Sequence, residues 1–474
     1  MLSTTDHSRD RGQILVLFAM SITVLLIVAA LAFDVGMMLV ERRDQQDAAD
    51  AAALAGARYL TDAGRAEAVA SAMAATNGFA DDAATDVTVY IPPEHGVYRH
   101  MPGFIEVQIA ASRPSIFGGI IGKASWPVGT YAVAANQKGL TFEFGMLALN
   151  ETACKAIHVS GDGLVHVKSS IQSNSSGSDC LPGQPYGLSR TGGGTITVDA
   201  TDGVCRTVGA IQDQGNGDMT CDPVDYSFAL PDPLEGLPAV PKPLLAAPIE
   251  RVAHSYDIPN YCPGSTDTGR QPSEDNPQTC VIGLGQAGDK QWILSPGLYP
   301  GGLDVKGNST IYLLPGIYWI GGGGLQVAGD SDVYSVASAL DLTTGKGGVL
   351  IYNSQLLPEA AAGPVSLGGS GANVDLQPLD PATGSAEAIY KDILLFQDRT
   401  VTTTVTLNGS ASVANVRGIV YVPEGEVKLN GNGGTLTVDQ VIADTFLADG
   451  NGGTIHVLED RAVDVIISGV GLVE

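Results

Sequence analysis

Between Ile14 and Phe33 the chain runs for twenty residues without a charge, and this stretch decides on which side of a lipid bilayer the remainder folds. A helix rises about 1.5 Å per residue, so such a run spans the ~30 Å hydrocarbon core of a membrane. It exceeds the roughly 7–15 residue apolar core of a cleaved leader and is flanked by charges at Arg11 and Asp34, which favours a retained anchor. The partner expected for residues 14–33 is the bilayer itself. Arg9 and Arg11 precede the run and Arg42 and Arg43 follow it, so counting basic residues leaves orientation undecided. Long glycine- and cysteine-bearing sequence after an anchor belongs outside. That argument makes residues 1–13 a cytoplasmic tail, residues 14–40 the transmembrane helix and everything beyond extracytoplasmic.

The acidic balance agrees with this. With 25 Lys and Arg against 51 Asp and Glu the formal charge is −26, which excludes nucleic acid as a partner through repulsion by its phosphates. The six cysteines, Cys154, Cys180, Cys205, Cys221, Cys262 and Cys280, are even in number, and no two have the C-x-x-C spacing of a zinc or redox site. Disulfides of an oxidising compartment explain them. Pairing in sequence order (154 with 180, 205 with 221, 262 with 280) closes the shortest loops among the possible connectivities.

After the anchor, alanine-rich sequence continues to about residue 76, and alanine is the best helix former. The expectation is one helix leaving the bilayer, with residues 41–76 as a stalk. Gly12 and Gln13, the apolar run, Asp34 and Gly36 as D-x-G, and R-R-D-Q-Q-D-A-A-D-A-A-A-L-A-G-A from Arg42 to Ala57 resemble the amino-terminal module of the Flp pilus-assembly TadE/TadG-like family. The resembling positions include Gln45, Ala48, Ala49, Asp50, Ala51 and Gly56. The resemblance implies a single-pass inner-membrane protein of the bacterial cell envelope that works with other pilus-assembly proteins. Prepilin-like members carry a glutamate five residues after the processing glycine, where this chain has Leu17, so the anchor is expected to stay attached. The D-x-S-x-S metal motif of members with a von Willebrand factor A domain is absent from the sequence.

Residues 77–139 read as a small α/β unit, with strands in VTVYI, FIEVQIA and WPVGTYAVAA around P-S-I-F-G-G-I-I-G. The last segment mimics a phosphate loop, but Phe117 stands where the first glycine is required and Ala124 replaces the Ser or Thr, so nucleotide binding is rejected. From about residue 140 the texture becomes short β-branched runs between glycine turns. G-G-T-I-T-V at 193–198, G-G-T-L-T-V at 433–438 and G-G-T-I-H-V at 452–457 are nearly one motif, and P-G-L-Y at 296 recurs as P-G-I-Y at 315. A period near twenty residues predicts a large right-handed parallel β-solenoid or β-helix-like domain, a β-sandwich being the alternative. Within it, residues 140–222 are cysteine-containing coils, 223–255 a proline-rich crossing segment, and 256–474 further coils. The fold class is thus mainly β behind an amino-terminal helix.

No catalytic constellation stands out in the sequence. Asp392, Asp398 and Arg399 are the nearest thing to an acid–base cluster, D-S-D at 330–332 the nearest to a calcium turn, and His158 and His166 lie eight residues apart on one expected hairpin or coil. Each is better read as turn or surface polarity, and sixty glycines fit a turn-rich scaffold. No catalytic residue, cofactor or metal is assigned. The expected function is non-enzymatic: a structural and interaction protein of pilus assembly or anchoring. A surface protein that binds or cleaves polysaccharide is the alternative, favoured by an acidic cleft with exposed aromatics.

Overall fold

The computed structural model describes residues 11–60, 62–135, 140–199, 203–246, 250–251, 279–282, 291–356, 362–369, 371–409, 413–431, 433–450 and 452–467. The chain is mainly β, with a long apolar helix, a second short helix and a large β domain. It divides into two compact units, residues 1–140 with 467–474, and residues 141–466.

In the first unit, helix α1 runs over Arg11–Ala57 without a proline. Its most apolar window has no buried residue, and it is long and apolar enough to cross a membrane. The second half is different. Ala48, Ala49, Ala52, Ala53, Gly56 and Ala57 are all buried, a stripe with the period of a helix face. The alanine-rich stretch is not one stalk to residue 76. Turns closed by Tyr59 N–H on Gly56 O and Asp62 N–H on Tyr59 O end α1, and a new helix, α2 (Ala63–Thr76), starts where the Asp62 carboxylate caps Arg65 N–H. An N-cap needs extended backbone, which Asp62 has at φ −135°, and a continuous helix cannot supply it. Ala66, Ala70 and Ala74 of α2 then return against the alanine face of α1.

Strands β1 (Thr85–Tyr90), β2 (Phe104–Pro114) and β3 (Ser125–Ala135) form an antiparallel sheet in that order. Ile105, Val107 and Ile109 alternate into the core with Ala132 and Ala134, and the two helices cover this face. Small residues let the backbones come close: a Cβ on Gly56 would sit 2.6 Å from Ile105 Cδ1 and 3.0 Å from Ala66 O.

The second unit is built from parallel ladders. Thr435 pairs with Thr454 and Leu436 with Ile455, the nineteen-residue offset of the G-N-G-G-T motifs. Other offsets differ. Although the P-G-x-Y motifs are also nineteen apart, Gly297 pairs with Tyr318 and Tyr299 with Ile320, so the backbone slips by two residues while the rings of Tyr299 and Tyr318 still stack at 6.0 Å. The insertion lies in the turns, where glycine absorbs it, and the columns beneath stay in register. One column reads Ile196, Val165, Ile455, Leu436, Ala414, Val374, Val333, Ile311 and Trp292, each buried and each the ladder partner of the next. At ~4.8 Å per strand these eight steps measure about 38 Å.

That order is not chain order. Strand Thr435–Gly450 pairs with Met146–Ala148 and Ile157–Gly161, and Thr454–Val457 pairs with Leu164–Val167, so the last rungs dock on the first. The rungs 146–224 and 280–457 therefore extend in opposite directions from this junction, and the proline-rich segment joins their far ends. Proline removes ladder donors, so this strap is held by side chains of the rungs it passes. Asn174 bonds Leu230 in both directions, Tyr421 donates to Asp232, and Arg399 donates to the carbonyls of Leu234, Glu235 and Leu237. Further along, Tyr390 donates to Ala239, Trp319 to Val240, and the Leu298 N–H to Leu244 O. Beneath the strap Trp319, Tyr352, Phe396 and Tyr421 form a buried aromatic ladder with centroids 5.1–5.7 Å apart.

Disulfides join Cys154 to Cys180 and Cys205 to Cys221. Cys280 is also disulfide-bonded, and Cys262 lies outside the described residues.

The packing around Gly56 yields a prediction. Gly56→Val overpacks the contact of α1 with Ile105 and Ala66 and lowers the stability of the first unit by about 1–3 kcal/mol, read as a fall in the melting temperature reported by Trp126 in detergent-solubilised protein. An unchanged melt refutes the close-packing account.

Candidate membrane-interaction site

The site is the apolar part of α1 with the loop that follows β2. Between Pro114 and Ser125 the chain makes a tight excursion containing one 3-10 turn, Gly118–Ile121. It is tied to α1 by Asp34. The Asp34 carboxylate accepts from Ser115 Oγ at 2.5 Å, from the N–H groups of Ile116 at 3.2 Å and Phe117 at 3.0 Å, and from Gly118 N–H at 2.7 Å. Every one of these contacts is a donor, which is the complement an acceptor-only carboxylate requires. Asp34 is only 4% exposed although it lies on an otherwise bare stretch of helix, because the loop covers it. Just beyond, the Arg113 guanidinium pairs with Glu41 at 2.6 Å.

On the other side of Asp34 the loop presents apolar groups. The Phe117 ring meets Phe33 edge to face at 6.0 Å, and Ile116 and Phe117 border an open groove of about 690 Å3 with Thr23, Leu26, Ile27, Ala29, Ala30 and Phe33.

The remaining motif positions have distinct places. Gly12 and Gln13 fall in the first turn of α1. Gly36 has open space where a Cβ would project, and Arg42 is exposed. Gln45 is fully buried, and its amide has no partner among the described residues. Ala48 and Ala49 are core, Ala51 is half-buried, and Asp50 accepts from Gln46 Nε2 at 2.8 Å. Gln46 itself also donates to Tyr131 O at 3.2 Å, tying the polar turn of α1 to β3. Ser115, Ile116 and Phe117 were not singled out by sequence reasoning. Their signal was the I-F-G-G-I-I run, unusually apolar for a loop in so acidic a chain.

The polar candidates of the second unit are absorbed by structure. Arg399 holds the strap and lies over Phe396 and Tyr421. Asp398 accepts from Tyr352 Oη and from Thr400, while Asp392 faces Arg461 at 3.8 Å, so these three do not converge on one open point. Asp332 accepts from both nitrogens of Asn373. His158 Nε2 lies 3.1 Å from Thr191 Oγ1, and His166 lies 2.6 Å from Asp199 and beside His456. Among the described residues no group of three or more His, Cys, Asp or Glu is placed to hold a metal ion. An open groove lined by Glu151, Asp232, Glu235, Glu424, Asp444 and Arg399 is acidic, but Asp232 is taken by Tyr421, Asp444 by Asn150 and Arg399 by the strap.

With this geometry in view, residues 12–58 match the family described as putative Flp pilus-assembly TadE/G-like. The match lies on the membrane-length helix and spans roughly a tenth of the chain. No curated protein and no solved structure matches the chain. The matched segment ends one residue after α1 does, at the turn that begins the return through α2.

Two outcomes are expected. Asp34→Ala removes the acceptor for the loop N–H groups, and charge-assisted bonds of this kind are worth roughly 1.5–3 kcal/mol each. Amide exchange at residues 116–118 therefore accelerates while that of the second unit stays as it was; equal protection in the variant refutes the tether. In the second unit, burial raises the carboxyls of Asp375, Asp444 and Glu459 above their ordinary range. Their folded forms hold protons more tightly than the unfolded chain does, so the stability they contribute is complete below the ordinary carboxylate range and is lost as pH rises through the raised values. The melting temperature followed through Trp292 and Trp319 therefore rises relative to that of an Asp375→Asn, Asp444→Asn, Glu459→Gln variant as pH falls from neutral toward the ordinary carboxylate range. A relative fall over that window contradicts the assignment.

Proposed function

We propose that this is a single-pass, non-enzymatic structural and interaction protein of the bacterial cell envelope, acting in assembly or anchoring of a Tad/Flp pilus. The observation that carries the reading is the coincidence of the TadE/G-like match with a membrane-length helix whose apolar window has no buried residue. In this reading the amino terminus is cytoplasmic and the β domain extracytoplasmic, which the disulfides of the second unit support, since such bonds persist in oxidising compartments.

The parallel ladders and continuous buried columns support a β-solenoid, right-handed by the general handedness of such crossovers. Such a domain offers a long rigid surface to other assembly proteins. The carbohydrate alternative needs aromatic faces open to a sugar. Here the aromatic ladder lies under the proline-rich strap, and the candidate acids are bonded to structural partners.

Isolation from the native envelope tests the reading. The full-length chain is expected to remain with membranes after a high-salt wash and to bring down other pilus-assembly components after mild crosslinking. Release by salt overturns the anchor, and recovery without any pilus or secretion component overturns the assembly role.

A further inference from the structure

We propose that residues 115–121 dip into the bilayer beside α1, so that the protein engages lipid with two elements instead of one. This rests on the reading of α1 as a membrane span. Asp34 ends the uncharged run, yet the loop does not stop at its level. Ile116 and Phe117 reach back along α1 to share a groove with Leu26, Ala30 and Phe33. Leu26 lies eight residues before Asp34, about 12 Å along a helix, so the loop tip stands at the depth of the apolar run.

Two further observations point to lipid as the occupant. First, Ile116 is 62% exposed and Phe117 37%, and their open faces continue the unburied wall of the helix. Second, six N–H groups of the loop are satisfied from within. Asp34 takes the N–H groups of residues 116–118, Ser115 N–H bonds Ala124 O, Gly122 N–H bonds Gly119 O, and Lys123 N–H bonds Gly118 O. Water would serve a surface loop equally well, whereas hydrocarbon demands internal partners. The return limb carries the residues of an interface: the Lys123 ammonium lies 6.0 Å from the Trp126 ring. An apolar tip with a basic and aromatic rim is the pattern of interfacial segments, which sink about 5–10 Å into the headgroup and acyl boundary.

Tryptophan depth quenching in the full-length protein tests this. In a Trp126→Phe background, Ile116→Trp, Leu25→Trp and Leu340→Trp are each reconstituted in phosphatidylcholine vesicles brominated at shallow or deep acyl positions. Trp292 and Trp319 give a constant baseline. The expected result is loss of the Ile116→Trp emission, greater with shallow bromines, loss of the Leu25→Trp emission, greater with deep ones, and no loss for Leu340→Trp, whose site is fully exposed in the second unit. If Leu25→Trp escapes quenching, the span itself fails. If Leu25→Trp is quenched and Ile116→Trp is not, the span stands and the dipping loop is overturned; a blue-shifted, unquenched Ile116→Trp assigns the loop to a protein partner such as a second copy.

Discussion

Main-chain hydrogen bonding between parallel neighbours is the constraint to which the larger unit answers. A strand with both edges paired tolerates a missing donor poorly, which is why prolines gather in turns and in the strap; the exceptions sit where pairing ends or slips, Pro378 at the end of its strand and Pro423 where the ladder shifts register between Val422 and Glu426. It also explains why changes in repeat length are taken up between strands. The buried columns run on through offsets that change from rung to rung, because side chains of each ladder pair sit directly above one another whatever the turn contains. The most deeply buried charge of this unit is heavily partnered: Asp439 is fully buried and is met by Arg417, by Arg461 and by the Gly418 N–H. Removing one member of such a buried network costs more than the network contributes over an apolar core.

The smaller unit rests on close approach. A helix that must serve lipid at one end and a protein core at the other changes side-chain size along its length, from Leu, Ile and Phe in the bare part to Ala and Gly in the packed part. Asp34 sits at the change of environment. Its carboxylate turns a point of high cost at the edge of an apolar run into an attachment for a loop eighty residues later in the chain.

Much of this was legible in the residues. The uncharged run, the D-x-G and R-R-D-Q-Q-D pattern, and the repeated G-G-T motifs pointed to the long helix, to the TadE/G-like resemblance that residues 12–58 match, and to a mainly β remainder. Leu436, Val438, Ile455 and Val457 are buried as strand alternation requires. The break at residues 58–62 was not legible, because alanine favours helix on both sides of it and only the cap at Asp62 marks the stop. Nor was the partnership of Asp34 with Ser115, since a carboxylate carries no sign of a distant donor. The P-G-x-Y repeat misled by two residues because it spans the entry from a turn into a strand, and turns are where spacing varies. The docking of the last rungs on the first left no local trace, since any glycine-bounded β-branched run can stack on any other.

That docking fixes when the larger unit can be finished. The strands Met146–Ala148 and Leu164–Val167 are among the first of this unit to be synthesised, yet one of their edges is reserved for residues 441–457. Until those emerge, an early rung presents open N–H and C=O groups, the template on which foreign strands add. Contacts closed across some three hundred residues are slow to form. The chain therefore spends its making with a gap in this unit, and the strands Thr435–Gly450 and Thr454–Val457 are the wedge that closes it.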